Sequence, residues 1–162
     1  MKRELASLKK LKHRNIVHLH EVYASERKAE LLFEYLDCDL FGLIKTGVLL
    51  IPQAKSLSRQ LLEGLAFMHA KGYIHRDIKC EKPFCRVTRV FCLTPTLKCA
   101  GQNILISTEG LLKIADLGLA RQTSADEDLT NRVVSLWYRS PELLLGETRY
   151  STGPDIWSAG YV

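Results

Sequence analysis

The sequence predicts an α+β fold. Three observations carry that prediction: two β-patterned segments near the N-terminus, a long leucine-striped helix in the middle, and two short strands around a tight turn further on. In chain order, Arg3 to Leu11 sets Leu5, Leu8 and Leu11 at helical spacing among lysines, a short amphipathic helix. Ile16 to Val22 and Ala29 to Tyr35 are apolar or alternating and flank the polar Ser25-Glu26-Arg27-Lys28, which reads as a hairpin. Pro52 opens a long helix whose buried stripe is Leu57, Leu61, Leu62, Leu65 and Met68, and Gly72 ends it. Asn103 to Ser107 and Leu111 to Ile114 are strands around Thr108-Glu109-Gly110. Residues 121–131 are polar without an apolar period and read as a loop, and Pro154 to Val162 begins another helix.

Composition narrows the function classes. With 162 residues, 46% hydrophobic and 25% charged, the chain is large enough for one cored domain and has the make-up of a globular protein. Its longest apolar run, residues 47–52, is far shorter than the ~20 residues of a spanning helix. The charged start Met1-Lys2-Arg3-Glu4 has no secretory core behind it, so a cytosolic or nuclear chain is expected, neither membrane-bound nor secreted. The net charge of +5 is not spread evenly. Residues 81–101 hold Lys82, Arg86, Arg89 and Lys98 against Glu81 alone, which leaves the rest of the chain only weakly basic and argues against a nucleic-acid partner. Four of the five cysteines, Cys80, Cys85, Cys92 and Cys99, crowd the same stretch without a C-x-x-C pair, so unpaired thiols are a better reading than zinc.

The chemistry lies in His75-Arg76-Asp77-Ile78-Lys79, then Asn103-Ile104-Leu105, then Asp116-Leu117-Gly118, followed by Ser140-Pro141-Glu142 and Asp155-Ile156-Trp157. Each triplet alone is weak. Their order and spacing match what phosphoryl transfer needs. Asp77 would accept the proton of an attacking hydroxyl and Lys79 would neutralise the phosphate in transit. Asn103 and Asp116 would hold magnesium, a hard cation that takes oxygen ligands.

With these motifs the chain resembles the cyclin-dependent protein kinases, nearest the transcription-associated branch that pairs with T- and K-type cyclins. Arg3-Glu4-Leu5, Asn15-Ile16-Val17, the 75–79 motif and above all residues 130–146 (TNRVVSLWYRSPELLLG) carry the resemblance. It implies a fragment of a protein-kinase-like fold, residues 1–36 being the remnant of the small lobe and hinge and 37–162 an incomplete large lobe. It implies an ATP- and Mg2+-dependent kinase of Ser/Thr-Pro sites, a cyclin partner and protein substrates. Phe33 would be the gatekeeper of the adenine pocket, Glu34, Tyr35 and Leu36 the hinge, and Leu105 its floor. Asp39 is placed with the nucleotide-binding residues, and so is Glu4, which fits the helix glutamate that pairs with a strand lysine. Ser135 is grouped with Asp77 and Lys79. Leu8, Leu19, His75 and Leu117 match the hydrophobic spine. Thr130 matches the activating phosphorylation site, with Arg3, Arg76 and Arg121 as its receiving cluster. Val133, Val134 and Arg139 match the pocket for proline after the target residue.

Two departures stand out. The 162 residues begin inside the first helix, without the glycine-rich loop and strand lysine that the family places ahead of it, at a point where cyclin would grip, and they stop before the helices that complete the large lobe. The family also spaces its catalytic Asp and magnesium Asn five residues apart, whereas Asp77 and Asn103 are 26 apart. The excess is residues 81–101, read either as a retained intron or as a genuine insertion. The expectation is a chain that is inactive or severely impaired by itself. The alternative is a non-catalytic module that sequesters a cyclin or substrate.

Overall fold

The computed structural model describes residues 10–24, 29–80, 103–123 and 128–162. The first predicted helix, with Arg3, Glu4 and Leu8, and the 81–101 stretch lie outside those residues. An antiparallel hairpin joins β1 (Leu19–Ala24) to β2 (Ala29–Phe33), with an irregularity between Leu19 and Glu21. A second sheet runs in the order β3 (Cys38–Asp39), β5 (Ile104–Ile106), β6 (Leu112–Ile114), all antiparallel. β4 (Tyr73–Ile74) pairs with β7 (Arg121–Gln122). The helices are α1 (Leu40–Lys45), α2 (Ile51–Ala70), the single turn α3 (Pro141–Leu144) and α4 (Gly153–Gly160). Among the described residues, no helix is long and apolar enough to cross a membrane.

Two expectations shift. The hairpin does not start at Ile16. Ile16 instead bridges Ile114 in parallel, with Val17 N–H donating to Ile114 O (2.9 Å) and Ile114 N–H to Asn15 O (2.8 Å). Arg121 and Gln122 are not loop, because their backbone closes a two-residue ladder on the catalytic-motif side of α2.

The long helix forms where expected. Pro52 sits in its first turn, and Gln53 Oε1 accepts from the Leu50 N–H (2.9 Å), satisfying a donor the helix cannot. At the far end Gly72 takes φ +73, a conformation that costs glycine nothing. Leu57, Leu61, Leu65 and Met68 are buried, but Leu62 is 47% exposed. One residue beyond Leu61, it turns about 100° off the stripe, and Gly64 takes the inward place. There α2 lies so close to β6 that a Cβ on Gly64 would sit 2.8 Å from Ile114 Cδ1 and 3.0 Å from Asn15 O. Gly64→Ala is therefore expected to destabilise the protein by about 1–3 kcal/mol through overpacking, read as a lower urea midpoint at unchanged slope.

The apolar side chains gather in three clusters. The largest joins α2 to β5 and β6 through Leu57, Leu61, Leu65, Ile104, Leu112 and Ile114, and takes in Ile78 and Cys80. A second centres on Ile16, Val17, Met68 and Leu117, with Phe33, Leu36 and Leu105 packed against it. The third, Val133, Val134, Tyr138 and Leu143, supports the segment after residue 130.

Candidate active site

The loop after β4 brings the catalytic motif into a buried frame. His75 is fully buried, its Nε2 bonded to Ala115 O (3.0 Å) and its Nδ1 accepting the Asp77 N–H (3.2 Å). An amide can only donate, so this pair fixes the tautomer as Nε2–H. Asp155, at the start of α4, accepts from His75 N–H and Arg76 N–H (2.8 Å each), and its Oδ2 is bonded to His69 Nε2 (2.9 Å). Burial pushes the Asp155 carboxyl up, but the His69 bond and the two amides outweigh it, so it lies below its ordinary value.

Within that frame Asp77, Lys79 and Asn103 come together. Asp77 Oδ2 accepts from Lys79 Nζ (2.7 Å) and from Asn103 Nδ2 (2.8 Å), and Asn103 Nδ2 also reaches Asp77 O. The 26-residue separation has not kept the two apart. Asn103 is buried at the start of β5, and its carbonyl accepts the Ala115 N–H (2.9 Å), which brings the chain to Asp116. Asp116 is exposed, has φ +57, and accepts the Gly118 N–H (3.2 Å) at the head of a 3-10 turn over Leu117–Leu119. Asn103 and Asp116 offer an amide and a carboxylate oxygen, the hard donors that magnesium takes. Among the described residues no group of three or more His, Cys, Asp and Glu is placed to hold a metal.

The proposed nucleotide side is partly assembled. Phe33, Leu36 and Leu105 share one cluster, and Tyr35 is 81% exposed. The Glu34 N–H donates to His18 O (3.0 Å). Its side-chain Oε1 accepts from His18 N–H and from Lys113 Nζ, both at 2.6 Å. Asp39 caps α1 by accepting the Gly42 N–H (2.6 Å).

Thr130 is exposed, and its carbonyl accepts from Tyr150 Oη (2.6 Å). Arg76 is buried at φ +68, with Nε on Leu119 O (2.9 Å) and Nη1 on Tyr150 Oη (3.4 Å). Arg121 is half-buried in β7 opposite Ile74. Val134 has φ +64 and donates its N–H to Arg76 O (3.1 Å). Arg139 grips the two carbonyls beside it, Nε on Val133 O and Nη2 on Val134 O, each 3.0 Å. Ser135 precedes the 3-10 turn Leu136–Tyr138, and among the described residues no hydrogen bond joins it to Asp77 or Lys79.

Sequence reasoning quoted Asp155 in a motif without giving it a task, and it passed over Tyr150, Lys113 and His69. The partners of these four lie 74 to 86 residues away, or 20 for the Tyr150–Thr130 contact, and no local pattern marks them.

The chain belongs to the protein kinase domain family, whose sequence model matches residues 1–90 and 97–162. The relatives it matches are named cyclin-dependent and CTD kinases, the branch that the resemblance implied. It is 40% identical to cyclin-dependent kinase 12 of Drosophila melanogaster, with 99% of the chain and 13% of that protein aligned. It is 42% identical to the CTD kinase subunit alpha of Schizosaccharomyces pombe over 99% of the chain and 24% of the relative. Cyclin-dependent kinase C-2 of Oryza sativa subsp. japonica gives 41%, 99% and 31%. Among solved structures it is similar to the yeast RNA Pol II CTD kinase CTDK-1 complex, with a TM-score of 0.79, 39% identity, and 98% of this chain and 46% of that one covered. The chain thus spans less than a third of these curated relatives and about half of the kinase chain in that structure.

Proposed function

We propose that these residues form the core of a cyclin-dependent kinase that phosphorylates Ser or Thr followed by Pro. The observation that carries the reading is the Asp77 carboxylate held by Lys79 and Asn103 through one oxygen. Among the described residues Oδ1 has no bond, which leaves it to accept the proton of a substrate hydroxyl. ATP and Mg2+, when bound, supply the phosphoryl group and neutralise its charge. Asn103 and Asp116 would hold the metal, and Lys79 would meet the phosphate. Glu34 would offer adenine its carbonyl, because its N–H is already given to His18.

Target choice follows from Arg139. With the Val133 and Val134 carbonyls both engaged, an incoming residue after the target finds no acceptor there for its N–H. Proline has no N–H to leave unpaired. The C-terminal domain of RNA polymerase II as substrate class belongs to the same proposal, supported by the names of the similar kinases, and a T- or K-type cyclin, the nucleus and Thr130 as the phosphorylated switch join it on the sequence resemblance.

The test uses the kinase with its cyclin on two peptides that differ only in Pro or Ala after the target serine. An unpaired buried N–H costs about 1–3 kcal/mol, so kcat/KM should fall about 5- to 150-fold for the Ala peptide. Equal rates on both peptides would remove the proline reading, and turnover undiminished by Asp77→Asn would remove the catalytic one.

A further inference from the structure

A cleft between residues 11–18, Glu34 and Lys113 carries charge that the catalytic reading leaves unused. It encloses about 480 Å3, within the range of ligand sites. Its polar lining is Lys12, His13, Arg14, His18, Glu34 and Lys113. The single carboxylate there is already engaged, since Glu34 Oε1 takes both Lys113 Nζ and the His18 N–H. Lys12 and Arg14 are exposed and make no ion pair among the described residues. The acid facing Arg14 and His13 from α2, Glu63, is held by Arg59 at 2.8 Å. The Asn15 N–H donates to His13 Nδ1 (3.1 Å), so the remaining ring nitrogen, Nε2, is a donor. From residue 5 to residue 20 the sequence has no Asp or Glu, against four Lys or Arg and three His.

We propose that this cleft docks an acidic, extended segment of a partner protein. Charge complementarity selects the occupant: two unpaired cations at the rim and further donors inside, with the local acids satisfied by basic partners. The same inventory disfavours nucleic acid. Non-specific duplex binding draws on roughly 6–10 phosphate contacts, more than two free cations can supply. A single strand would need stacking faces, but His13 stacks over the Phe67 ring at 4.8 Å.

The 162-residue chain is tested by fluorescence anisotropy with a labelled octaglutamate peptide. This readout depends on neither nucleotide nor turnover, so it stands or falls apart from the kinase reading. Binding is expected at low salt, and should weaken about tenfold or more as ionic strength rises from ~0.05 to ~0.5 M and screening shortens. Lys12→Glu with Arg14→Glu should abolish it. Lys45→Glu with Lys55→Glu, the same charge change at exposed positions on α1 and α2, should leave it within about twofold of the parent. If the first pair disturbs the fold by circular dichroism, Lys12→Ala with Arg14→Ala replaces it, with at least a fivefold loss expected. The proposal is overturned if octaglutamate does not bind, or if the control pair loses as much as the cleft pair. Tighter binding of an eight-nucleotide thymidine strand, or peptide-displaced self-association through the chain's own Asp126-Glu127-Asp128, would overturn it equally.

Discussion

Asp155→Ala is expected to remove a large share of the folding free energy of this domain. The carboxylate is 1% exposed and serves three donors: the His69 ring, the His75 amide and the Arg76 amide. Truncation would leave all three buried without a partner, a loss of about 3–5 kcal/mol in a domain whose total is about 5–15. Asparagine offers no rescue, because one of its two positions would turn an NH2 toward an amide that can only donate. The pH dependence has a definite sign. A carboxyl held below its ordinary value stabilises the fold above the unfolded pKa of about 3.9, and that contribution is lost as pH falls through the lower folded value. Urea unfolding at pH 7, 5 and 3 should therefore show a wide gap between parent and variant at the two higher values and a shrinking gap at pH 3. A gap that is independent of pH would mean that lost packing, not the charge, sets the cost.

Asn103→Ala should cut the kcat of the cyclin-bound kinase by about a hundredfold or more, since displacing a catalytic group by ~1 Å costs that much. Its Nδ2 is the contact that ties Asp77 to β5, and its carbonyl ties β5 to the residue before Asp116. Asn103 thus holds the proposed proton acceptor by its side chain, which alanine removes, and the residue before Asp116 by its backbone carbonyl, which alanine keeps. Asp77→Asn should fall further, within the 10²–10⁴ range of a lost general base. Single-turnover phosphorylation of a Ser-Pro peptide separates the two variants. If Asn103→Ala lowered only the apparent affinity for magnesium and kept kcat at saturation, Asn103 would be a metal ligand without a positioning role.

The residues proposed to do the chemistry were legible because short motifs carry them in fixed order. Asp77, Lys79, Asn103 and Asp116 could be named before any contact was known. The long helix was legible because a leucine stripe and two terminal signals, Pro52 and Gly72, agree. What escaped was decided by partners distant in sequence. Ile16 and Val17 read as the start of a strand pair with their neighbours, yet β6 claims them. Leu62 read as core because its residue type fits, but one position past Leu61 it lies about 100° off the buried stripe. Arg76 matches the cluster that would receive a phosphate at Thr130, but its contacts with Leu119 O and Tyr150 Oη carry no local signal.

The join between residues 15–17 and β6 bears on folding kinetics. Asn15 Nδ2 donates to Leu112 O across 97 positions (2.8 Å), and the flanking amides complete a short ladder. Contacts of such high order require a long loop to be closed before they contribute, so they are expected to form late, after the rate-limiting step. Closing this loop is insensitive to its length. Each doubling costs only about 0.6 kcal/mol, so 21 extra residues within 97 add about 0.2 kcal/mol. Across the far shorter path from Asp77 to Asn103 the same residues cost roughly 1.5 kcal/mol. A contact that forms after the rate-limiting step governs unfolding more than folding. Weakening the Asn15 ladder should therefore shorten the lifetime of the folded protein and leave its rate of appearance nearly unchanged.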